Sequence, residues 1–189
     1  MLVGQGVQLS GAENELIQFA EKTGIPMAAT LMGLSGISTS HPLYVGYLGM
    51  HGNYGPNIKT NECDLLIAIG MRFDDRVTGD LDQYAKQAKV IHIEIDPAEI
   101  NKNVKATVAI NCDAKQALLG LLPLVNVSTH KDWISEFHKC DEIEFNKVID
   151  ADLHPDSGEI KMAEVINRIS DETIILFRQK FKLIEAFKI

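Results

Sequence analysis

Apolar positions along the chain follow two different periods. Within Glu13–Thr23, Leu16, Ile17, Phe19 and Ala20 form one helical stripe, and Thr23-Gly24 ends it. Short, near-continuous apolar runs read instead as strands: Met1-Leu2-Val3, Ile25–Thr30, Asp64–Ile69, Val90–Ile95 and Thr107–Ile110. Pro26 lies near the start of its strand, where a missing N–H is tolerated. Asn53–Glu62 and Asp113–Leu122 read as helices. Residues 31–51 are glycine-rich and weakly periodic, which predicts a long loop of the functional kind. Pro123–Thr129 reads as a linker and His130–Val148 as a polar amphipathic helix carrying the single tryptophan, Trp133. Asp150–Ser157 reads as a loop, Ile160–Ser170 as a helix and Thr173–Leu176 as a short strand. Buried strands alternating with helices predict an α/β fold, a doubly wound parallel sheet with helices on both faces.

Bulk properties narrow the picture. The 189 residues, 46% of them hydrophobic, suffice for one α/β domain with a sizeable core and a modest extra segment. A net charge of −8 disfavours a nucleic-acid partner. No run approaches the 18 or so apolar residues of a membrane span, and no basic stretch followed by an apolar one marks a secretory signal. The three cysteines, Cys63, Cys112 and Cys140, are far apart and odd in number. That pattern fits reduced thiols and a cytoplasmic protein, and it argues against a disulfide framework or a zinc site. The six histidines have no metal-ligand spacing.

Candidate chemistry gathers where strands open onto glycines. Gly70-Met71-Arg72-Phe73-Asp74-Asp75-Arg76-Val77-Thr78-Gly79 follows the Asp64–Ile69 strand. Ligands of open α/β sheets sit off such carboxyl ends. Arg72 and Arg76 offer forked donors suited to phosphate or carboxylate, or else they pair with Asp74 and Asp75 on a surface turn. Gly4-Gln5-Gly6 after the first strand is half of a dinucleotide fingerprint, with Leu9 where the next glycine belongs. Its alternative is a tight strand-to-helix turn. Thr30-Leu31-Met32-Gly33-Leu34 and Leu48-Gly49-Met50-His51-Gly52 are further glycine-bearing loops. His51 lacks a serine or cysteine nucleophile beside it, so a structural role competes with catalysis. Glu94 either accepts ribose hydroxyls or pairs with Lys89 or Lys102. Asp113 either caps its helix or takes a ligand hydroxyl.

Those same loops, together with Ile91-His92-Ile93-Glu94-Ile95-Asp96-Pro97-Ala98-Glu99-Ile100, resemble the central domain of the acetolactate synthase (acetohydroxyacid synthase) large subunit over roughly residues 2–125. The resemblance implies a six-stranded, Rossmann-like central domain of a thiamine-diphosphate enzyme. It also implies condensation of two pyruvates, or of pyruvate and 2-oxobutyrate, in branched-chain amino-acid biosynthesis. Thiamine diphosphate, Mg2+ and FAD are the implied cofactors, and a homo-oligomer with a regulatory small subunit the implied assembly. Residues 1–125 are then the FAD-binding domain, 126–158 a linker with a helix, and 159–189 the remnant of a C-terminal thiamine-diphosphate domain. Phe177–Leu183 departs from the family wording there. The apolar tail Phe177–Ile189 leads us to expect self-association.

Residue by residue, the resemblance implies FAD contacts from Gly4, Gln5 and Gly6, from Thr30, Leu31 and Met32, and from Gly49, Met50 and His51. Gly70, Met71, Arg72, Arg76 and Val77 are implied around the ribityl and diphosphate groups. Glu94, Ile95 and Asp113 are implied at the adenosine half. Met50, Asp75 and Arg76 are implied to line the channel to the thiamine site. FAD does no net redox work in that reaction, and its implied role is structural. A stand-alone nucleotide-binding module and a scaffold with an empty site are the competing readings. Neither an activating glutamate nor the Gly-Asp-Gly metal motif of the family is found, so no catalytic or metal-binding residue is assigned. The 189 residues alone are therefore expected to form no acetolactate from pyruvate with thiamine diphosphate, Mg2+ and FAD added. Product above a no-protein control contradicts this.

Overall fold

The computed structural model describes residues 1–173. Two compact units are present, Met1–Asp141 and Glu142–Ile189. In the first, six strands form one sheet: β1 (Leu2–Val3), β2 (Met27–Ala29), β3 (Tyr44–Tyr47), β4 (Leu65–Ile69), β5 (Lys89–Glu94) and β6 (Val108–Asn111). The order is β3-β2-β1-β4-β5-β6 and every neighbouring pair is parallel. The expected doubly wound parallel sheet is borne out, and its strand order reverses between β1 and β4.

Period-two alternation sends each strand's side chains to two separate cores. Val3, Met27, Ile67, Ile69 and Ile93 face one side. There they meet Val7 of α1 (Gln5–Leu9), Leu16, Phe19 and Ala20 of α2 (Glu13–Thr23), and Ala117 and Leu118 of α5 (Ala114–Leu121). Leu2, Ala28, Val45, Leu66, Ala68 and Val90 face the other, with Met71, Phe73, Tyr84 and Phe137. α3 (Tyr54–Thr60) and α6 (Lys131–Glu144) belong to that second face. Gly55 packs close to Phe137 and Cys140 there, and Trp133 meets Phe137 edge-on at 5.5 Å. The first compact unit therefore takes in most of α6, because its apolar stripe is part of the second core.

Several local expectations need correction. Residues 31–51 are not one loop: they hold a 3-10 turn, Leu31–Gly33, and β3. β3 escapes detection because it is a short edge strand interrupted by Gly46 at φ +106°, with only Val45 fully buried. The turn after β1 contains α1, and α4 (Asp75–Thr78) interrupts the arginine-bearing segment. The helix expected over 130–148 is α-helical only to Glu144, then π-helical over Phe145–Ile149. α7 (Asp150–Leu153) occupies part of the expected loop 150–157. Residues 162–173 are helical, so Thr173 does not begin a strand. The rest of that expected strand and the whole Phe177–Ile189 tail lie outside the described residues.

Leu118 is fully buried on α5 while Leu9 is 78% exposed. Leu118→Ala should cost about 2–5 kcal/mol, and Leu9→Ala less than about 0.5 kcal/mol. Urea unfolding followed by circular dichroism checks both.

Candidate functional site

Because all six strands are parallel, their carboxyl ends share one edge. Every sequence-derived site residue lies at that edge, at the end of a strand or in the segment that follows it. Gly4-Gln5-Gly6 follows β1, Thr30-Leu31-Met32 follows β2, and Gly49-Met50-His51 follows β3. Gly70-Met71-Arg72 follows β4, Glu94 ends β5 and Ile95 follows it, and Asp113 follows β6.

The reversal point between β1 and β4 is closely built. The Gly4 N–H donates to the Ile69 carbonyl at 2.9 Å, and the Gly6 N–H donates to the Gly70 carbonyl at 2.9 Å. A Cβ on Gly6 would lie 2.6 Å from the Gly70 Cα, and one on Gly4 would lie 2.2 Å from the Gly70 oxygen. Gly70 also sits at φ +59°. A Cβ on Gly33 would strike the Val3 carbonyl at 2.0 Å. Glycine is thus required here by loops packing on one another. The tight-turn reading of Gly4-Gln5-Gly6 is satisfied by these contacts. Thr30 is buried, and its Oγ1 accepts from the Gly33 N–H at 3.1 Å, capping the 3-10 turn.

Above this base the edge is apolar and open. Leu31, Met32, Met50 and Ile95 are 68%, 59%, 68% and 66% exposed. By contrast Met71 is buried and turned into the second core, so it meets the edge through its backbone.

The charged candidates divide by partner. Arg72 Nε donates to Asp74 Oδ2 at 3.3 Å, an exposed pair of little energetic weight. Arg76 is exposed, and its guanidinium has no hydrogen bond or ion pair among the described residues. The other oxygen of Asp74, Oδ1, caps α4 by accepting from the Val77 N–H. Glu94 is buried and takes neither lysine. Its Oε1 accepts from the Asp96 N–H at 3.1 Å, while Lys102 pairs with Glu99. Asp113 Oδ1 accepts from the Lys115 and Gln116 N–H groups at 2.9 and 3.3 Å, a helix cap.

Asp75, Arg76 and Val77 are brought to the loop after β3. The Met50 N–H donates to the Arg76 carbonyl at 2.7 Å. A cleft of about 290 Å³ lies here, lined by Gly49, Met50, Asn57, Asp75, Arg76 and Tyr84, among others. Burial pushes the Tyr84 phenol well above its ordinary pKa. His51 has an exposed side chain, and its carbonyl accepts from the Tyr47 hydroxyl.

Asn57 is a residue that the sequence reading passed over. Its Oδ1 accepts from the Gly49 N–H at 2.9 Å and its Nδ2 donates to the Gly49 carbonyl at 3.0 Å. It thereby holds Gly49 at φ +112°. The one sequence signal was an asparagine one turn into a helix beside a glycine loop, which is common on solvated faces. A larger hollow of about 460 Å³ lies among the strands' amino ends, lined by Pro26, Lys59, Cys63, Leu66, Trp133 and Phe137, among others. Lys59 is already held there by Glu62 at 2.7 Å and Glu136 at 3.7 Å, with its ammonium 5.6 Å from the Trp133 ring centre. The Glu62 hydrogen bond raises its pKa.

With this geometry in place, comparison with known proteins decides the family. The profile described as "Thiamine pyrophosphate enzyme, central domain" matches residues 1–121. The chain belongs to this family. It is 42% identical over 177 residues to a probable acetolactate synthase large subunit of Methanocaldococcus jannaschii, covering 91% of this chain and 30% of that protein. It is 37% identical over 172 residues to the acetolactate synthase large subunit of Haemophilus influenzae, covering 89% and 30%. It is 47% identical over 131 residues to a chloroplastic acetolactate synthase of Zea mays, covering 69% and 20%. The chain thus spans under a third of the length of these relatives. The sequence resemblance to acetolactate synthase large subunits is borne out. No helix among the described residues is long and apolar enough to cross a membrane.

Gly70→Ala tests the reversal point. Positive φ and the 2.6 Å approach to Gly6 act together, so the substitution should cost more than about 1 kcal/mol. Gly79 also has positive φ, but a Cβ there meets nothing within 4 Å. Gly79→Ala should cost less, and paired denaturant melts rank the two.

Proposed function

We propose that this chain is the cofactor-holding central part of an acetolactate synthase large subunit. In that enzyme two pyruvates, or pyruvate and 2-oxobutyrate, are condensed on thiamine diphosphate with Mg2+, in branched-chain amino-acid biosynthesis. On this reading residues 1–125 hold FAD, 126–158 link onward, and 159–189 begin the thiamine-diphosphate domain. The full-length enzyme is a cytoplasmic homo-oligomer that also binds a regulatory small subunit.

The observation that carries the FAD assignment is the carboxyl edge itself. It pairs an open apolar rim with a guanidinium, Arg76, that has no partner among the described residues. Four strands, β2 to β5, span about 14 Å at ~4.8 Å per strand, the scale of an extended dinucleotide lying across the reversal point. The donor set fits such a group. Leu31, Met32 and Met50 offer apolar surface to a planar ring. Arg72 and Arg76 offer forked donors to a diphosphate. Glu94 and Ile95 lie at the far end, where a ribose acceptor is useful. Asp113 contributes less, because its carboxylate is already engaged in capping α5. Bound FAD supplies no net redox change to the condensation, and its contribution is structural. This chain's residues bind it, exclude water from it and fix the loops around it. Met50, Asp75 and Arg76 line the approach to the reacting centre.

One observation favours a second reading, a scaffold with an empty site. The glycines at the β1–β4 reversal are fully accounted for by loop packing, without any ligand. A flavin absorption scan after mild purification separates the two readings. Retained or rebindable flavin supports the first, and its absence under saturating FAD supports the second.

Arg72→Ala and Arg76→Ala should each weaken FAD binding about ten-fold or more, since charge-assisted bonds contribute roughly 1.5–3 kcal/mol. Glu94→Ala should weaken it less. The exposed arginine substitutions should leave thermal stability nearly unchanged. Flavin fluorescence titration with a parallel melt checks this. Equal dissociation constants in folded variants would remove these residues from the site.

A further inference from the structure

We infer that His92 and Asn103 are positioning residues that fix Arg72 for the cofactor, an inference that rests on the FAD reading above. Arg72 lies between two inward-facing side chains, Met71 and Phe73, which are 5% and 3% exposed. The carbonyls of both neighbours are held by side chains from elsewhere. His92 Nε2 lies 2.8 Å from the Met71 carbonyl oxygen, and Asn103 Nδ2 donates to the Phe73 carbonyl at 2.6 Å. Just before them, the Gly70 N–H donates to the Ile93 carbonyl at 2.8 Å. The segment is therefore pinned at three successive points by β5 and the turn beyond it, while the Arg72 side chain projects outward.

His92 is fully buried and packs edge-on against Phe73 at 4.9 Å. A carbonyl can only accept, so Nε2 carries the proton in this bond. Nδ1 has no hydrogen-bond partner. A histidine buried inside an apolar strand face, with one nitrogen unsatisfied, is costly to keep there. Its one polar contact is the Met71 carbonyl. The geometry thus assigns that cost to holding the segment on which Arg72 stands. Asn103 is exposed, so the fold does not depend on its burial, yet its amide reaches across to the same segment. Together the two bonds leave Arg72 few backbone alternatives, so less ordering is left to occur when a phosphate binds.

The full chain tests this in two ways. Without FAD, limited trypsin cleavage after Arg72 reports local opening of the pinned segment. Asn103→Ala and His92→Phe should each speed that cleavage about five-fold, the factor expected for one hydrogen bond. His92→Gln, which keeps an N–H donor, should stay within about two-fold of the parent. With FAD, Asn103→Ala should weaken binding about five-fold in the parent but less than about two-fold in an Arg72→Ala background. If Arg72→Ala weakens FAD binding while Asn103→Ala changes neither cleavage nor affinity, the positioning inference fails and the FAD reading stands. Equal effects of Asn103→Ala in both backgrounds also overturn it. If cleavage responds as expected but the parent binds no FAD, the FAD reading fails; if the parent binds FAD and Arg72→Ala binds it equally well, Arg72 alone leaves the site; in either case the cofactor role of the two residues falls. Should His92→Phe not fold, the exposed Asn103 decides alone.

Discussion

The contact between Gly6 and Gly70 is the constraint on which the rest of this structure depends. It joins the first turns after β1 and β4, where the sheet's winding reverses. Two backbones can approach so closely only without side chains. Once that contact is made, β1 and β4 lie side by side, and both halves of the sheet extend outward from them. All the loops of chemical interest then fall on one edge. A set of non-local strand pairings thus centres on a few backbone atoms of two glycines that are themselves far apart in sequence.

That dependence explains why some of the site was legible in the sequence and some was not. Strand β4 is a continuous apolar run and β5 a nearly continuous one, because both faces of a parallel sheet are buried, and they were read to within about a residue. The glycine loops were read as ends of strands for the same reason. Asp113 was open between cap and ligand, and the structure makes it a cap. Glu94 was open between ribose and lysine, and it takes a turn N–H that neither alternative included. Periodicity could not distinguish these, since each use needs only a carboxylate at a strand or helix end.

What stayed hidden depends on pairing across the fold. β3 has only four residues, one of them a glycine at positive φ, and its strand conformation comes from its neighbour β2. Asn57 holds the loop just before its own helix and Asn103 a segment 30 residues away, and nothing about an asparagine announces its partner. His92 interrupts an otherwise apolar strand, a local inconsistency of the kind that marks function, and no role for it was read from the sequence. Its consequence emerged only with the Met71 carbonyl beside it.

The central claim is that the carboxyl edge, and not the larger amino-end hollow, takes the cofactor. Amide chemical shifts of the isotopically labelled chain during addition of FAD test it directly. The account predicts changes at residues 4–6, 31–33, 70–72 and 94–95, with Trp133, Cys63 and Leu66 unmoved. Changes concentrated at Cys63, Leu66 and Trp133, or no changes at saturating FAD, would contradict it.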